Sequence, residues 1–436
     1  MEEEEESCRS SPVLQPNRGA SGQFDVSLPA RHLYLGELEE EGQIPMEDEE
    51  TTPTLPLLCL PDRVLFPGET LPMHVQNPHT MLMLRDVATR HRPVAIVTDL
   101  RSSSQLREMA RPTKEELSKV GTTAEVVGMR LEGEDYTQWS PFLTVKLLGR
   151  QRFRLMEIFK RVNGQMEGRV VILPEMRLSP PPLALSPCPP CLHSGALVSR
   201  LVARAGSVSP FTLQQNSRHS QVLKRSQISG SLCQVPAWVF SLHDQDYLRQ
   251  EVAREEMMRV GRREEASLDL LPEDTISLSY WLSRRLPISD QEKLSLLSIH
   301  CPTQRLIQAL HILQGLNDLF CECGKFITKK AHLFSMSVDG PVASYVNPGG
   351  HVHDTLTAKR AENVKSHGGP STEHSWFPGY SWTMLSCRGC SGHKGWLFNA
   401  TQGGLDPPMF YGLCRKGLAH CHKPSRGANG DLVHPS

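Results

Sequence analysis

The stretch Pro370-Ser-Thr-Glu-His-Ser-Trp-Phe-Pro-Gly-Tyr-Ser-Trp382 sets two tryptophans, Trp376 and Trp382, on either side of a Pro378-Gly379 turn. Pro-Gly between short apolar runs predicts a hairpin. A hairpin here turns both indole faces toward one cavity, and Trp396, in the strand-like run Gly395-Trp-Leu-Phe-Asn-Ala400, supplies a third wall. Three of the chain's six tryptophans thus fall close together, accompanied by Phe377, Tyr380 and Phe398. Such a box suits flat or cationic guests. With no acid obvious among the wall positions, a neutral cyclic group fits as well as an ammonium, its polar contacts coming from backbone groups and a side chain such as His374. The plainer reading is that these rings fill a small β core.

Working outward, cysteines bracket the aromatic segment. Cys321-Glu-Cys323 precedes it and Cys387-Arg-Gly-Cys390 follows it. Two close pairs, each at the edge of a β-rich segment, predict four thiolates on one tetrahedral zinc that ties distant strands together, and the irregular CxC pair leaves a broken or re-registered site as the alternative. With four protein ligands the ion has no open position, so its role would be structural. Cys188-Pro-Pro-Cys191 has the same spacing but lies in a proline-rich stretch without a partner pair. Cys414, flanked by Arg415 and Lys416, is a candidate reactive thiol, although an ordinary thiol is the simpler reading. The chain carries no GxxxxGK[ST] loop and no HExxH, so sequence motifs do not support catalysis.

Upstream, Leu55 to Val75 alternates short apolar runs with Pro and Pro-Gly breakers, which predicts three short strands. Further strands are expected at Val94 to Thr98, Gly121 to Met129, Phe142 to Leu148 and Val170 to Leu173, giving a small, mostly antiparallel β domain. Between Leu178 and Cys191 six of 14 residues are proline, and residues 178–235 read as a partly disordered insertion. Helical patterning runs from Trp238 through the charged segment to Glu265. Ser289 and Glu292 stand in capping-box spacing before a helix that Pro302 ends, and Leu306, Ile307, Leu310 and Leu313 mark a second one reaching Gly315. From about Leu319 a second β domain begins, with strands at Leu333 to Val338, Ser344 to Val346 and Gly395 to Ala400 and a turn at Asn347-Pro-Gly-Gly350. The sequence is expected to fray past Gly417.

A length of 436 residues predicts two or three domains, and 39% apolar with 22% charged residues excludes fibrous and wholly disordered chains. Residues 1–50 hold 14 acidic and 3 basic side chains, which predicts an acidic disordered tail over residues 1–51. The compensating positive charge is spread too thinly for nucleic-acid binding. No apolar run reaches membrane-spanning length and the N-terminus opens on five glutamates, so a soluble intracellular protein is expected.

The aromatic segment, together with Gly340-Pro341, Ala343, Tyr345-Val-Asn-Pro348, Val352-His353, Gly395-Trp396 and Phe398, closely resembles the cereblon family. Phe24 to Pro29, Tyr34-Leu-Gly36, Gly121 to Glu125, Gly149 to Phe153 and Leu173-Pro-Glu175 are similar to that family's Lon N-terminal-like half, and Leu286-Pro-Ile-Ser289 and Gln304-Arg-Leu306 to its closing helices. The resemblance implies an α+β, multidomain chain: a Lon N-terminal-like β domain with a helical region over residues 52–317, then a zinc-pinned, all-β (β-tent) thalidomide-binding CULT domain over residues 318–418, with residues 419–436 as a tail. It implies a non-catalytic substrate receptor of a cullin-RING ubiquitin ligase, in the cytoplasm and nucleus, docking on the DNA-damage-binding β-propeller adaptor and directing substrate proteins to degradation. Small cyclic imides would bind through His374, Trp376, Trp382, Trp396, Phe398 and Asn347, and the structural zinc through Cys321, Cys323, Cys387 and Cys390. The family's first zinc pair is CxxC, one residue longer than the pair here. A second reading is a zinc-stabilised β-fold enzyme resembling methionine sulfoxide reductases, with Cys414 as nucleophile. A Lon-type protease fragment is excluded, since no ATP-binding loop or Ser-Lys segment follows.

Overall fold

A computed structural model describes residues 23–40, 42, 44–101, 112–132, 141–162, 164–176, 244–260 and 271–422. The first body is a seven-stranded sheet built from β1 (Glu39–Glu40), β2 (Thr54–Pro61), β3 (Thr70–Val75), β4 (Val94–Asp99), β5 (Val120–Glu132), β6 (Phe142–Lys160) and β7 (Met166–Ile172). Its order is β1-β5-β4-β2-β7-β6-β3, and β5 also pairs with β6, so the sheet closes on itself. Closure needs one long strand. β6 spans 19 residues, bonding β3 and β5 through its first half and β7 through its second. Leu84, Val94, Ala124, Val145 and Leu147 fill the interior.

Local chemistry explains the elements and where they depart from expectation. Two strands, not three, form between Leu55 and Val75, because Arg63 to Phe66 turns inward without pairing and Phe66 is completely buried. The helix α1 (Pro78–Thr89), unmarked in the strand reading, starts where the Asn77 side chain accepts the N–H groups of His79 and Thr80, with Pro78 at the first turn. β2 and β4 run parallel, the one parallel pair in an otherwise antiparallel sheet.

Among the described residues four helices follow: α2 (Gln245–Val260), α3 (Thr275–Arg284), α4 (Asp290–Ser298) and α5 (Pro302–Gly315). The capping box of Ser289 and Glu292 forms as its spacing requires, and Pro302 opens α5 where a missing N–H costs nothing. Leu282, Leu286, Leu306 and Leu313 pack together with Val64 and Phe66 of the first body. The segment 178–235, Trp238 and the Cys188–Cys191 pair lie outside the described residues.

The C-terminal part is all β. A three-stranded sheet holds β8 (Leu316–Cys321), β9 (Phe326–Lys329) and β16 (Leu418–His422), and a six-stranded sheet has the order β10-β11-β15-β14-β13-β12. Those six are β10 (Val342–Val346), β11 (Val352–Ala358), β12 (Val364–Ser371), β13 (Tyr380–Cys387), β14 (His393–Ala400) and β15 (Met409–Cys414). Leu333 to Val338 is not a strand: its apolar residues reach the core from an irregular path bonded through Phe334 N–H to Thr357 O. The chain does not fray directly after Gly417, because Leu418 to His422 pairs with β8.

The acidic start is also partly structured. Phe24 is buried at 4% exposure and packs edge-on to Tyr380 across the C-terminal aromatic core, so residues 24–40 belong to the folded body rather than to a free tail. Apolar burial outweighs local charge here. The two bodies meet at Asp354, a buried carboxylate ion-paired to Arg63 at 2.7 Å, Lys293 at 3.2 Å and Arg415 at 3.0 Å.

Candidate functional site

The Pro378-Gly379 turn lies just before β13 and brings the aromatic segment over the six-stranded sheet. Trp382 on β13 is in register with Phe398 on β14, and Met384 with Trp396, so residues two apart line one face. Trp376, in the loop before the turn, is buried; its Nε1–H donates to Val346 O at 3.1 Å, and its ring stacks on Tyr345 with centroids 5.1 Å apart. Trp396 meets it edge-on at 4.6 Å. Trp382 donates Nε1–H to Glu373 O at 2.8 Å, and Phe398 is stacked on Phe410 at 4.9 Å.

These walls enclose a cleft of about 550 Å³. Asn347, His374, Trp376, Trp382, Trp396 and Phe398, the six side chains singled out in the sequence, all line it. His374 sits at φ 51°, an uncommon conformation for a residue other than glycine, which turns its half-exposed ring to the rim. Asn347 is fixed by the turn after β10: its Oδ1 accepts the His351 N–H at 2.8 Å. The lining also includes Pro348, His353, Glu373, Met384 and His393, which sequence reasoning did not assign. Strand alternation would have flagged Met384 from Trp382; His353 comes from β11, whose adjacency to the aromatic segment is a long-range fact. Glu373 puts an acid on the rim after all, with its side chain 80% exposed.

The electrostatics favour an uncharged interior. Burial pushes the His353 ring down to about 4, helped by His393, and lowers His393 as well, so both are neutral near pH 7. Cys414 lies behind this wall with Sγ 3.8 Å from His353 Nδ1. Burial raises its thiol to about 12, and its cationic neighbours are committed elsewhere, Arg415 to Asp354 and Asp290 and Lys416 to Asp62. This environment favours the simpler reading of Cys414 as an ordinary thiol over its activation by the flanking cations.

The second constellation is sulfur. Cys321 ends β8 and Cys387 ends β13, so the two pairs come from different sheets. All four Sγ atoms lie within 4.8 Å of one another, with Cys321 to Cys390 and Cys323 to Cys387 both at 3.6 Å. Four thiolates about 2.3 Å from a common tetrahedral ion stand roughly 3.8 Å apart, so this set fits one metal ion. Without a metal the thiols share their protons unequally: burial pushes Cys321 up to about 11, while at Cys387 the N–H groups of Cys390 and Gly389 and the neighbouring thiols outweigh burial and bring it down to about 6. A deprotonated sulfur is what a metal requires.

Comparison with known proteins gives the family. Residues 54–315 match the family described as the ATP-dependent protease La (LON) substrate-binding domain. Protein cereblon of Danio rerio is 37% identical over 399 residues, covering 91% of this chain and 87% of its own. The chain belongs to the cereblon family. Protein cereblon of Xenopus tropicalis is 36% identical over 93% of this chain and 87% of its own length, and that of Gallus gallus 35% over 91% and 84%. A solved Lon N-terminal domain protein from Xanthomonas campestris covers 59% of this chain and 98% of its own at 18% identity, with TM-score 0.29. The LON substrate-binding match over residues 54–315 takes in the closed sheet and its helices, and the aromatic cleft and the sulfur cluster lie in the C-terminal sheets. Among the described residues no helix is long and apolar enough to cross a membrane.

Proposed function

We propose that this chain is a substrate receptor of a cullin-RING ubiquitin ligase, whose cleft captures a cyclic imide, free or at the end of a target protein. The observation that carries the reading is the meeting of Trp376, Trp382 and Trp396 around one cleft floored by Phe398. Three apolar faces exclude water from a flat ring, and a neutral lining imposes no charge on it. His374 and the backbone at Trp376 read the imide, while Asn347 borders the open side. The chain does no covalent chemistry. It raises the local concentration of a target beside the ubiquitin-loading machinery, through the β-propeller adaptor, in cytoplasm and nucleus.

In this reading the ion held by Cys321, Cys323, Cys387 and Cys390 is zinc, the metal suited to four thiolates with no vacant position, and its role is structural. Burial, which pushes the Cys414 thiol up to about 12, speaks against the sulfoxide reductase alternative, which needs a ready thiolate there. The test is a thermal-shift titration of the full chain with a glutarimide compound. The midpoint should rise with concentration in the wild type and stay fixed in Trp382→Ala. A wild type that ignores the compound at millimolar concentration rejects the reading. Recovery of the β-propeller adaptor with the tagged chain from cells tests the ligase assignment separately.

A further inference from the structure

The sulfur cluster contains a pair with only one residue between its cysteines, and this shortness has a spatial consequence. Cys321 to Lys325 forms a tight turn in which Gly324 N–H donates to Cys321 O and Cys321 N–H to Lys325 O, both at 2.8 Å. Gly324 sits at φ 82°, so the turn closes within four residues. Cys323, at its tip, is carried over the opposite knuckle. A Cβ added to Gly389 would stand 3.2 Å from Cys323 Sγ and 2.9 Å from Lys325 Cγ. Gly389 itself is exposed and is not among the residues with left-handed backbone, so its conformation is open to any side chain. What requires glycine is the space above it.

We infer that Gly389 is the positioning residue of this metal site: its missing side chain is the room into which the shortened Cys321-Glu-Cys323 pair must lean to bring its second sulfur to Cys387 and Cys390. The inference rests on the zinc reading. Metal–sulfur distances tolerate only about 0.2 Å, less than the few tenths of an ångström by which Cys323 Sγ would have to retreat from a methyl group. Neither Cys321 nor Cys387 comes closer than 3.5 Å to that Cβ position. A side chain at position 389 therefore displaces Cys323, the ligand whose sulfur stands against it. The Gly389 N–H that donates to Cys387 Sγ at 3.3 Å survives substitution, so the effect is steric.

The test uses the full chain, stripped of metal and titrated with zinc and with cobalt as a spectroscopic reporter. The wild type should take up one ion per chain and give the absorption of a four-sulfur cobalt centre. Gly389→Ala should weaken binding about 10-fold, and Gly389→Val more, with a cobalt spectrum of fewer sulfur ligands. Inserting one glycine between Glu322 and Cys323 in the Gly389→Val chain lengthens the turn and should restore both affinity and spectrum. Variants indistinguishable from wild type in affinity and spectrum overturn the inference, and so does a loss that the insertion fails to repair. A wild type that takes up no metal overturns the zinc reading first and this inference with it.

Discussion

Tyr345 lies beneath Trp376 with the two ring planes 12° from parallel, and the Trp376 indole is bonded to the carbonyl of Val346, the next residue along β10. The inner wall of the cleft is therefore held from behind by a strand that contributes no wall of its own. Tyr345→Phe keeps the stack and should leave glutarimide binding within about twofold. Tyr345→Ala should cost about 3 to 5 kcal/mol of stability, as truncation of a fully buried aromatic does, and weaken binding with it. Chemical denaturation and ligand titration on the two variants check both expectations.

His32 gives the N-terminal segment a pH signature. It is buried at 4% exposure beside Tyr34 and Tyr345, and burial pushes its ring down to about 3, with Lys146 adding to the effect. The unfolded ring takes its proton near pH 6.5, so stability from neutral His32 is complete above that value. It is lost as pH falls from 6.5 toward 3, because the unfolded chain binds a proton that the folded one refuses. Urea midpoints measured between pH 7 and 4 should fall less steeply in His32→Gln than in the wild type.

Asp354 joins the two bodies, and its sign is the same for a different reason. Burial works to raise its pKa, but Arg63, Lys293 and Arg415 outweigh burial and hold the carboxyl well below the usual range. Its contribution is present above about pH 3.8 and is lost only as pH falls further. Asp354→Asn leaves three buried cations facing a neutral amide and should cost about 3 to 5 kcal/mol at pH 7. Calorimetry at pH 7 gives the loss, and a flatter pH dependence of the variant below 3.8 identifies its source.

Metal removal should act on the joint between the two C-terminal sheets. The three-stranded sheet supplies Cys321 and the six-stranded sheet Cys387, so an ion held by the cluster would bridge the two sheets beside the apolar core they share through Leu319, Ile327, Leu356 and Leu413. A chelator is expected to lower the thermal midpoint of the wild type by about 10 °C or more, and zinc to restore it. In Cys387→Ser the midpoint should already be low and the chelator without further effect.

Much of this molecule was legible in short-range chemistry. The Pro378-Gly379 turn between Trp376 and Trp382 points to an aromatic wall, the close spacing within each cysteine pair to ligands able to hold a metal, and Ser289 with Glu292 to a helix start, because each of these signals lies within a few positions, whereas the meeting of the two cysteine pairs is long-range. Only the tertiary structure decided that Phe24 leaves an acidic segment to join the aromatic core, that His353 and His393 complete the cleft, and that Cys414 is buried behind them with its thiol pushed up. Those outcomes turn on burial, which sets both the gain from an apolar ring and the charge state of a thiol or imidazole. Burial belongs to strands that meet across the fold, and no local pattern records which strands those are.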